Sequence, residues 1–126
     1  MIRRLIDDIE KAIRSHPTIL SSTIQKQVGP DGNTIYLKGA ITFTDLAILE
    51  FSIFANASGN RIVPDKYRFQ YMDKTNHIIF RYDNAPHHRE LMTFPHHKHL
   101  PDRVAPSALP SLADVLSEIS AFMLSK

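Results

Sequence analysis

Hydrophobic residues recur every three or four positions at the two ends of this chain and every second position between them. Residues 2–14 place apolar side chains at i, i+3, i+4 and i+7 and charged side chains opposite them, which predicts an amphipathic helix ending near Pro17. Near the other end, Ser111 is followed three residues later by Asp114, an acidic variant of the capping box. A second helix is therefore predicted, with an apolar side formed by Leu112, Val115, Leu116, Ile119, Phe122 and Met123.

Between the helices, apolar and polar residues alternate in five segments separated by turn residues. The segments are 18–28, 34–44, 46–55, 67–71 and 77–83. The alternation has the period of a β-strand, and short connections between consecutive strands favour an antiparallel meander. Gly39 interrupts the second segment and predicts a β-bulge there. The predicted fold class is α+β: an antiparallel meander sheet of about five strands with an N-terminal and a C-terminal helix packed on one face.

Composition narrows the class of protein. A length of 126 residues with 43% apolar content suits a single domain, 1–126. The net charge of +2 is compatible with nucleic acid but does not require it. The chain has no cysteine, which excludes a disulfide framework, a thiolate nucleophile and a cysteine zinc site. No apolar stretch is long enough to span a bilayer and no signal peptide is visible, so we expect a cytoplasmic protein that does not bind membranes.

The segment Phe80–Leu100, FRYDNAPHHRELMTFPHHKHL, contains five of the seven histidines of the chain. They form two groups, 87–88 and 96–99, and each group follows a proline. Histidine is the side chain whose unperturbed pKa lies nearest neutrality, so it serves proton transfer, metal binding and pH sensing. The segment shows little helical or strand periodicity and is predicted to be an ordered loop, where functional sites are frequent.

General acid–base catalysis on a phosphodiester is the chemistry that this segment suits best. Metal-independent RNA cleavage needs one group to remove the 2′-OH proton, a second to protonate the leaving oxygen, and a cation to stabilise the developing charge. His97 and His99 would share a side if the backbone is extended there. The candidates are His97 and His99, then His87 and His88, for proton transfer, with Arg81 and Lys98 on the phosphate.

Strand alternation predicts a second source of polar groups. If Ile78, Phe80 and Tyr82 face the core, Arg81 and Asp83 project from the opposite face of the sheet. The neighbouring strands have Glu50, Arg68 and Gln70 at the matching parity. The simpler interpretation is a solvent-exposed face with cross-strand ion pairs. The functional interpretation makes Asp83 and Glu50 substrate contacts beside Arg81.

Metal binding is the main rival to metal-independent catalysis. His97 and His99 could chelate an ion, with His87 or His88 and Asp83 completing the site. Neither HExxH nor an acidic tetrad is present, so the ligand set would have to come from a loop. A third interpretation is that the histidines only order the loop through hydrogen bonds. The favoured mechanism needs no cofactor.

Three stretches, IFRYDNAPHH (79–88), TFPHHKHLP (93–101) and PSLADVLSEI (110–119), resemble the TumE family. Arg89 stands where that family tends to have a proline. The resemblance implies a toxin that is neutralised by a cognate helix-turn-helix antitoxin, and it brings no settled catalytic residues. Together with the histidine-rich segment it predicts a toxin that is a metal-independent endoribonuclease acting on RNA. The alternatives are a metal-binding phosphoesterase and a non-catalytic toxin that binds a cellular partner.

Overall fold

A computed structural model of the protein describes residues 2–126 as two helices and one antiparallel sheet. In chain order the elements are α1 (Ile2–Arg14), β1 (Ile19–Val28), β2 (Thr34–Phe43), β3 (Ile48–Ser58), β4 (Arg61–Met72), β5 (Ile78–Asp83), β6 (His97–Leu100), β7 (Arg103–Pro106) and α2 (Leu112–Leu124). The α+β prediction is confirmed, with both helices at the predicted places.

The sheet is a meander in which each strand pairs only with its neighbours along the chain, in the order β1 to β7. It has seven strands where the sequence predicted about five. The two extra strands, β6 and β7, have four residues each and lie in and just after the segment predicted to be a loop. A strand this short cannot show a convincing alternation, and three of the four β6 residues are polar, so hydrophobic patterning does not reveal it.

Both helices pack on the same face of the sheet and share one core with it. The core side chains of the strands come from alternate positions of β2, β3 and β4 and from Phe80 of β5, as a period of two requires. Tyr82 lies on this side and is partly buried. Ile78, which was expected to face the core, is 42% exposed because the β4–β5 register shifts between Tyr71 and Met72.

The predicted capping box starts α2. The Ser111 hydroxyl accepts a hydrogen bond from the Asp114 backbone N–H at 3.1 Å, and the Asp114 carboxylate accepts one from the Ser111 N–H at 3.0 Å. At the end of α1, His16 reaches across to α2, where its Nε2 forms a hydrogen bond of 2.6 Å with the Ser120 hydroxyl. These contacts fix the two helices side by side over the core.

Gly39 is in regular strand pairing, opposite Ile24 on one side and Phe51 on the other, so the predicted bulge is wrong. A Cβ atom at this position would lie 2.5 Å from Cζ of Phe51 and 3.0 Å from the Thr23 carbonyl oxygen. The glycine is needed because the Phe51 ring lies over its backbone.

The face of the sheet turned away from α1 and α2 is called the open face here. Its residues on β2 to β4 are mostly polar, and the exposed ones include Lys38, Glu50, Lys66 and Arg68. Within residues 2–126, neither helix is long and apolar enough to cross a membrane. Because α1 and α2 cover the other face, the open face is the part of the sheet that remains available to a partner or a substrate.

Candidate functional site

The pairing of β5 with β6 creates a polar cluster on the open face. In this ladder Asp83 is directly opposite His97, and Arg81 is directly opposite His99. Residues opposite each other in an antiparallel pair have side chains on the same face, a few ångströms apart. The structure therefore brings together four of the site residues predicted from the sequence, and it does so with two adjacent strands.

Asp83 is the centre of this cluster. Its side chain is buried, and its Oδ1 atom lies 2.8 Å from Nε2 of His97. Its Oδ2 atom accepts a hydrogen bond from Nε of Arg81 at 3.0 Å and lies 3.5 Å from Nε2 of His99. The backbone N–H of Ala85 also donates to Oδ1, at 3.1 Å. A buried carboxylate is tolerated only with such partners, so Asp83 orients the groups around it.

His97 is almost fully buried, with 1% of its surface exposed. Its Nδ1 atom lies 2.9 Å from the carbonyl oxygen of Pro95, and because a carbonyl only accepts, Nδ1 must carry a proton and donate it. In the neutral ring the other nitrogen, Nε2, then presents a lone pair. This nitrogen is close to Asp83 but is not aligned with it as a hydrogen bond, and it has no hydrogen-bond partner among residues 2–126.

A third imidazole comes from the loop between β5 and β6. The backbone of His88 has a φ of +59°, a left-handed conformation that is uncommon outside glycine and often marks a functional position. Its ring centroid lies 5.2 Å from that of His97 and 5.7 Å from that of His99. One ring nitrogen from each of the three residues lies within 4.8 Å of the other two. We call His88, His97 and His99 the histidine cluster.

The electrostatic surroundings of His99 keep its ring neutral. Partial burial lowers the pKa of His99, the neighbouring Arg81 guanidinium lowers it further, and Asp83 opposes the shift. The His99 side chain is still 24% exposed. A neutral imidazole that solvent or substrate can reach is able to accept a proton at neutral pH.

Three of the predicted site residues, His87, Lys98 and Glu50, lie away from Asp83, Arg81 and the histidine cluster. His87 is exposed and is not part of the histidine cluster. Lys98 lies on the opposite face of β6, where its Nζ atom is 2.5 Å from Glu118 of α2 and 5.0 Å from the centre of the Tyr82 ring. The alternation of side chains along β6 makes this unavoidable, because His97 and His99 occupy the other side. The structure does not bring Lys98 to the candidate phosphate site.

Glu50 lies on the open face but farther away. The strand pairing aligns Glu50 with Gln70, Gln70 with Arg81, and Arg81 with His99. Glu50 is therefore two strands from Arg81, a separation of about 10 Å.

Arg68 lies nearer to the cluster than Glu50 and was not among the candidate site residues. It pairs with Asp83 across β4 and β5, and its side chain is exposed. The alternation of residues in β4 indicated that Arg68 lies on the open face. It did not indicate the β4–β5 register, which places Arg68 beside Asp83.

His96, the histidine next to the cluster, supports the fold instead. Its Nδ1 atom forms a hydrogen bond of 2.9 Å with the Tyr67 hydroxyl, and its ring stacks on the Tyr67 ring at 5.7 Å. Tyr67 belongs to the core, so His96 fastens the start of β6 to the helix side of the sheet.

A cavity of about 370 Å³ lies on the helix side of the sheet, away from the histidine cluster. Its lining is mainly apolar and includes Leu5, Ile9, Ile62 and Leu109. None of the three clustered histidines lines it. This cavity is therefore not part of the candidate site, which lies on the open face of the sheet.

Comparison with known proteins identifies the family of this chain. The chain matches the family described as Toxin TumE over residues 9–124, from the middle of α1 to the end of α2. No curated protein and no solved structure matches it. The matched region includes Asp83, Arg81 and the whole histidine cluster. The chain therefore belongs to the TumE toxin family.

Proposed function

We propose that this toxin is a metal-independent endoribonuclease whose active site is the histidine cluster with Arg81 and Asp83. The main observation behind the proposal is that two imidazoles and one guanidinium surround a single buried carboxylate on the open face, with a third imidazole beside the first two. Membership in a toxin family supports the harmful effect on the cell. The chemistry of the side chains supports RNA as the target, because the 2′-OH of RNA is a nucleophile that imidazole can activate.

The proposed reaction is an internal transfer of the phosphodiester. His99, neutral and partly exposed, removes the 2′-OH proton, and the 2′-oxygen attacks the phosphorus. His88 in its protonated form gives a proton to the departing 5′-oxygen as the P–O5′ bond breaks. The products are a 2′,3′-cyclic phosphate and a free 5′-hydroxyl, and the proton taken by His99 balances the one lost from His88. His97 is too buried to reach substrate and positions the other two rings.

Arg81 is the proposed phosphate contact. Its Nε atom donates to Asp83, which holds the side chain in place and leaves the terminal guanidinium nitrogens for phosphate oxygens. Arg68, one strand away on the same face, would bind a neighbouring phosphate. Two arginines held by adjacent strands give a positive surface that follows an extended strand of RNA.

The test is cleavage of total cellular RNA by the purified protein in excess EDTA. We expect wild type to cleave and His99→Gln to be slower by about a hundredfold or more, because general acid–base groups contribute about that much. His77→Gln is the matched control, since His77 is an exposed histidine at the other end of β5. Thermal unfolding of each variant checks that the fold is intact.

Two results would contradict the proposal. The first is equal cleavage by wild type and His99→Gln, which would indicate a contaminating nuclease or another site. The second is no cleavage in EDTA while toxicity in cells persists. Activity that returns only with added metal would then favour the metal-dependent phosphoesterase, and toxicity that survives loss of every clustered histidine would favour a toxin that acts by binding a partner.

Membership in a toxin family implies an antitoxin partner. We propose a helix-turn-helix antitoxin that covers the open face and so blocks the histidine cluster. Tyr36 and Phe54, which are opposite each other on β2 and β3, are both 41% exposed and would be buried by such a partner. Charge substitution of both residues should weaken antitoxin binding in a titration and leave RNA cleavage by the free toxin unchanged.

A further inference from the structure

We propose that the histidine cluster is also a binding site for one divalent transition-metal ion such as Zn²⁺, held by His88, His97 and His99 beside Asp83. Three imidazole nitrogens within 4.8 Å of one another are close to the arrangement that a single ion needs. Ligand atoms in a tetrahedral zinc site are separated by about 3.3 Å, given bonds of about 2.0 Å. Closing the cluster around an ion therefore requires side-chain shifts of about 1 Å.

The surroundings of the His97 ring support this site independently. Its Nδ1 atom donates to the Pro95 carbonyl oxygen, so Nε2 is the nitrogen left for an ion, and Nε2 lies 2.8 Å from a carboxylate oxygen of Asp83. Nε2 is buried and has no hydrogen-bond partner within residues 2–126. A buried polar atom without a partner is uncommon, and a metal ion bound to Nε2 would supply one.

The contact between His97 and Pro95 is also typical of a metal ligand. Histidines that bind metal usually donate their second ring N–H to a backbone carbonyl or a carboxylate, which fixes the tautomer and aims the free nitrogen at the ion. Nδ1 of His88 has a comparable neighbour, with Oε1 of Glu90 at 3.4 Å. The distances from Asp83 to the Nε2 atoms of His97 and His99, 2.8 Å and 3.5 Å, bracket the separation expected between neighbouring ligands.

The donor set indicates which ions would bind. Three imidazoles and an adjacent carboxylate suit Zn²⁺, Co²⁺, Ni²⁺ and Cu²⁺, whereas Mg²⁺ and Ca²⁺ prefer sites made of oxygen atoms. His97 and His99 are held by β6 and Asp83 by β5, so only His88 has to be positioned by a loop.

Metal binding has a consequence for the reaction, and this part of the inference rests on the proposed function. An imidazole whose lone pair is bound to an ion cannot accept a proton. Occupation of His88 and His99 would therefore remove the proposed acid and base together. We infer that a stoichiometric amount of Zn²⁺ inhibits RNA cleavage by this toxin.

The first experiment measures binding without reference to activity. Co²⁺ is titrated into the EDTA-treated, dialysed protein and followed by its visible absorption, and the bound Co²⁺ is then displaced with Zn²⁺ in a calorimeter. We expect one ion per chain and an affinity at least about tenfold weaker for His88→Ala. The matched control is His87→Ala, because His87 is the adjacent histidine but lies outside the cluster. Thermal unfolding confirms that both loop variants are folded.

Three results would overturn the metal site: no stoichiometric Co²⁺ binding by wild type, unchanged binding by His88→Ala, or an equal loss of binding in His87→Ala.

The second experiment measures RNA cleavage in EDTA and after addition of one equivalent of Zn²⁺. Cleavage in EDTA that Zn²⁺ abolishes supports both proposals. Stoichiometric binding without cleavage in EDTA keeps the metal site and overturns the proposed function. Cleavage in EDTA without metal binding keeps the proposed function and overturns the metal site. Cleavage that requires Zn²⁺ supports the metal site and overturns the inference that Zn²⁺ inhibits the reaction.

Discussion

Lys98 and Glu118 form an ion pair on the helix side of the sheet, where the Lys98 ammonium lies 2.5 Å from a carboxylate oxygen of Glu118. Tyr82, opposite Lys98 in the β5–β6 ladder, donates its hydroxyl to the other oxygen of the same carboxylate. These contacts join α2 to both strands that hold the candidate site. β6, which presents His97 and His99 on the open face, is therefore attached to α2 on its other face.

We expect Lys98→Met to lower the free energy of unfolding by about 1–2 kcal/mol, because the change removes a charged hydrogen bond and leaves the Glu118 carboxylate with Tyr82. Urea unfolding measures the loss, and Lys74→Met, in an exposed turn, is the control. RNA cleavage by the folded variant should match wild type. A large loss of cleavage in a stable Lys98→Met protein would instead place Lys98 in the active site, as the sequence analysis proposed.

Opposite charges on the open face should change RNA affinity in opposite directions. Arg68→Ala should weaken binding and reduce the slope of log affinity against log salt by about 0.7, the value for one lost phosphate contact on a single strand. Glu50→Gln should strengthen binding, because it removes a carboxylate two strands from Arg81. Fluorescence anisotropy with a non-cleavable 2′-O-methyl RNA, repeated over a range of salt, measures both effects. Identical slopes for wild type and Arg68→Ala would exclude Arg68 from the interface.

Two buried tyrosines should respond differently to removal of their hydroxyl groups. The Tyr67 hydroxyl is hydrogen-bonded to His96, so Tyr67→Phe should cost about 1 kcal/mol. The Tyr71 hydroxyl is buried and has no hydrogen-bond partner in the part of the chain that the structure describes, so Tyr71→Phe should be neutral or stabilising. Denaturant unfolding of the two variants side by side measures the difference. A larger loss for Tyr71→Phe would mean that this hydroxyl has a partner such as a buried water molecule.

The same tyrosines predict a loss of stability at alkaline pH. Burial raises the pKa of Tyr67 and of Tyr71 to about 12, from an ordinary value of 10.0. Between these values the unfolded chain releases protons that the folded chain keeps, so stability falls as pH rises from about 10 to about 12. Each tyrosine contributes at most about 1.4 kcal/mol per pH unit. The free energy of unfolding measured across this pH range should fall less steeply for Tyr71→Phe than for wild type. An equal fall in the two proteins would contradict the contribution assigned to Tyr71.

Much of the fold followed from hydrophobic periodicity, because long elements repeat their pattern several times. Both helices and the first five strands have at least six residues, and most of the apolar residues of α1, α2 and β2 to β4 face the core that they share. β6 and β7 were missed because they are short and because His97 is a buried polar residue that interrupts any apolar pattern. The glycine at position 39 was misread because the reason for it, the Phe51 ring, lies on another strand.

The candidate site was only partly accessible from sequence. The geometry of a β-strand predicted that His97 and His99 lie on the same side of the chain. The pairing of β5 with β6, which places Asp83 and Arg81 opposite them, could not be predicted from the sequence. The structure brings His88 rather than His87 to the histidine cluster, and His88 has a left-handed backbone conformation that the local sequence does not indicate. The contact of Lys98 with Glu118 of α2 joins positions far apart in sequence, so no local sequence pattern could indicate it.

The meander also separates the parts of this chain that must stay constant from those that are free to vary. Because each strand pairs only with its neighbours, every residue of the candidate site comes from the continuous stretch 68–99. β1 lies at the far edge of the sheet, four strands and about 19 Å from β5, and most of its side chains are exposed. We expect the family to have diversified most at this edge, where substitutions alter the surface without reaching the histidines.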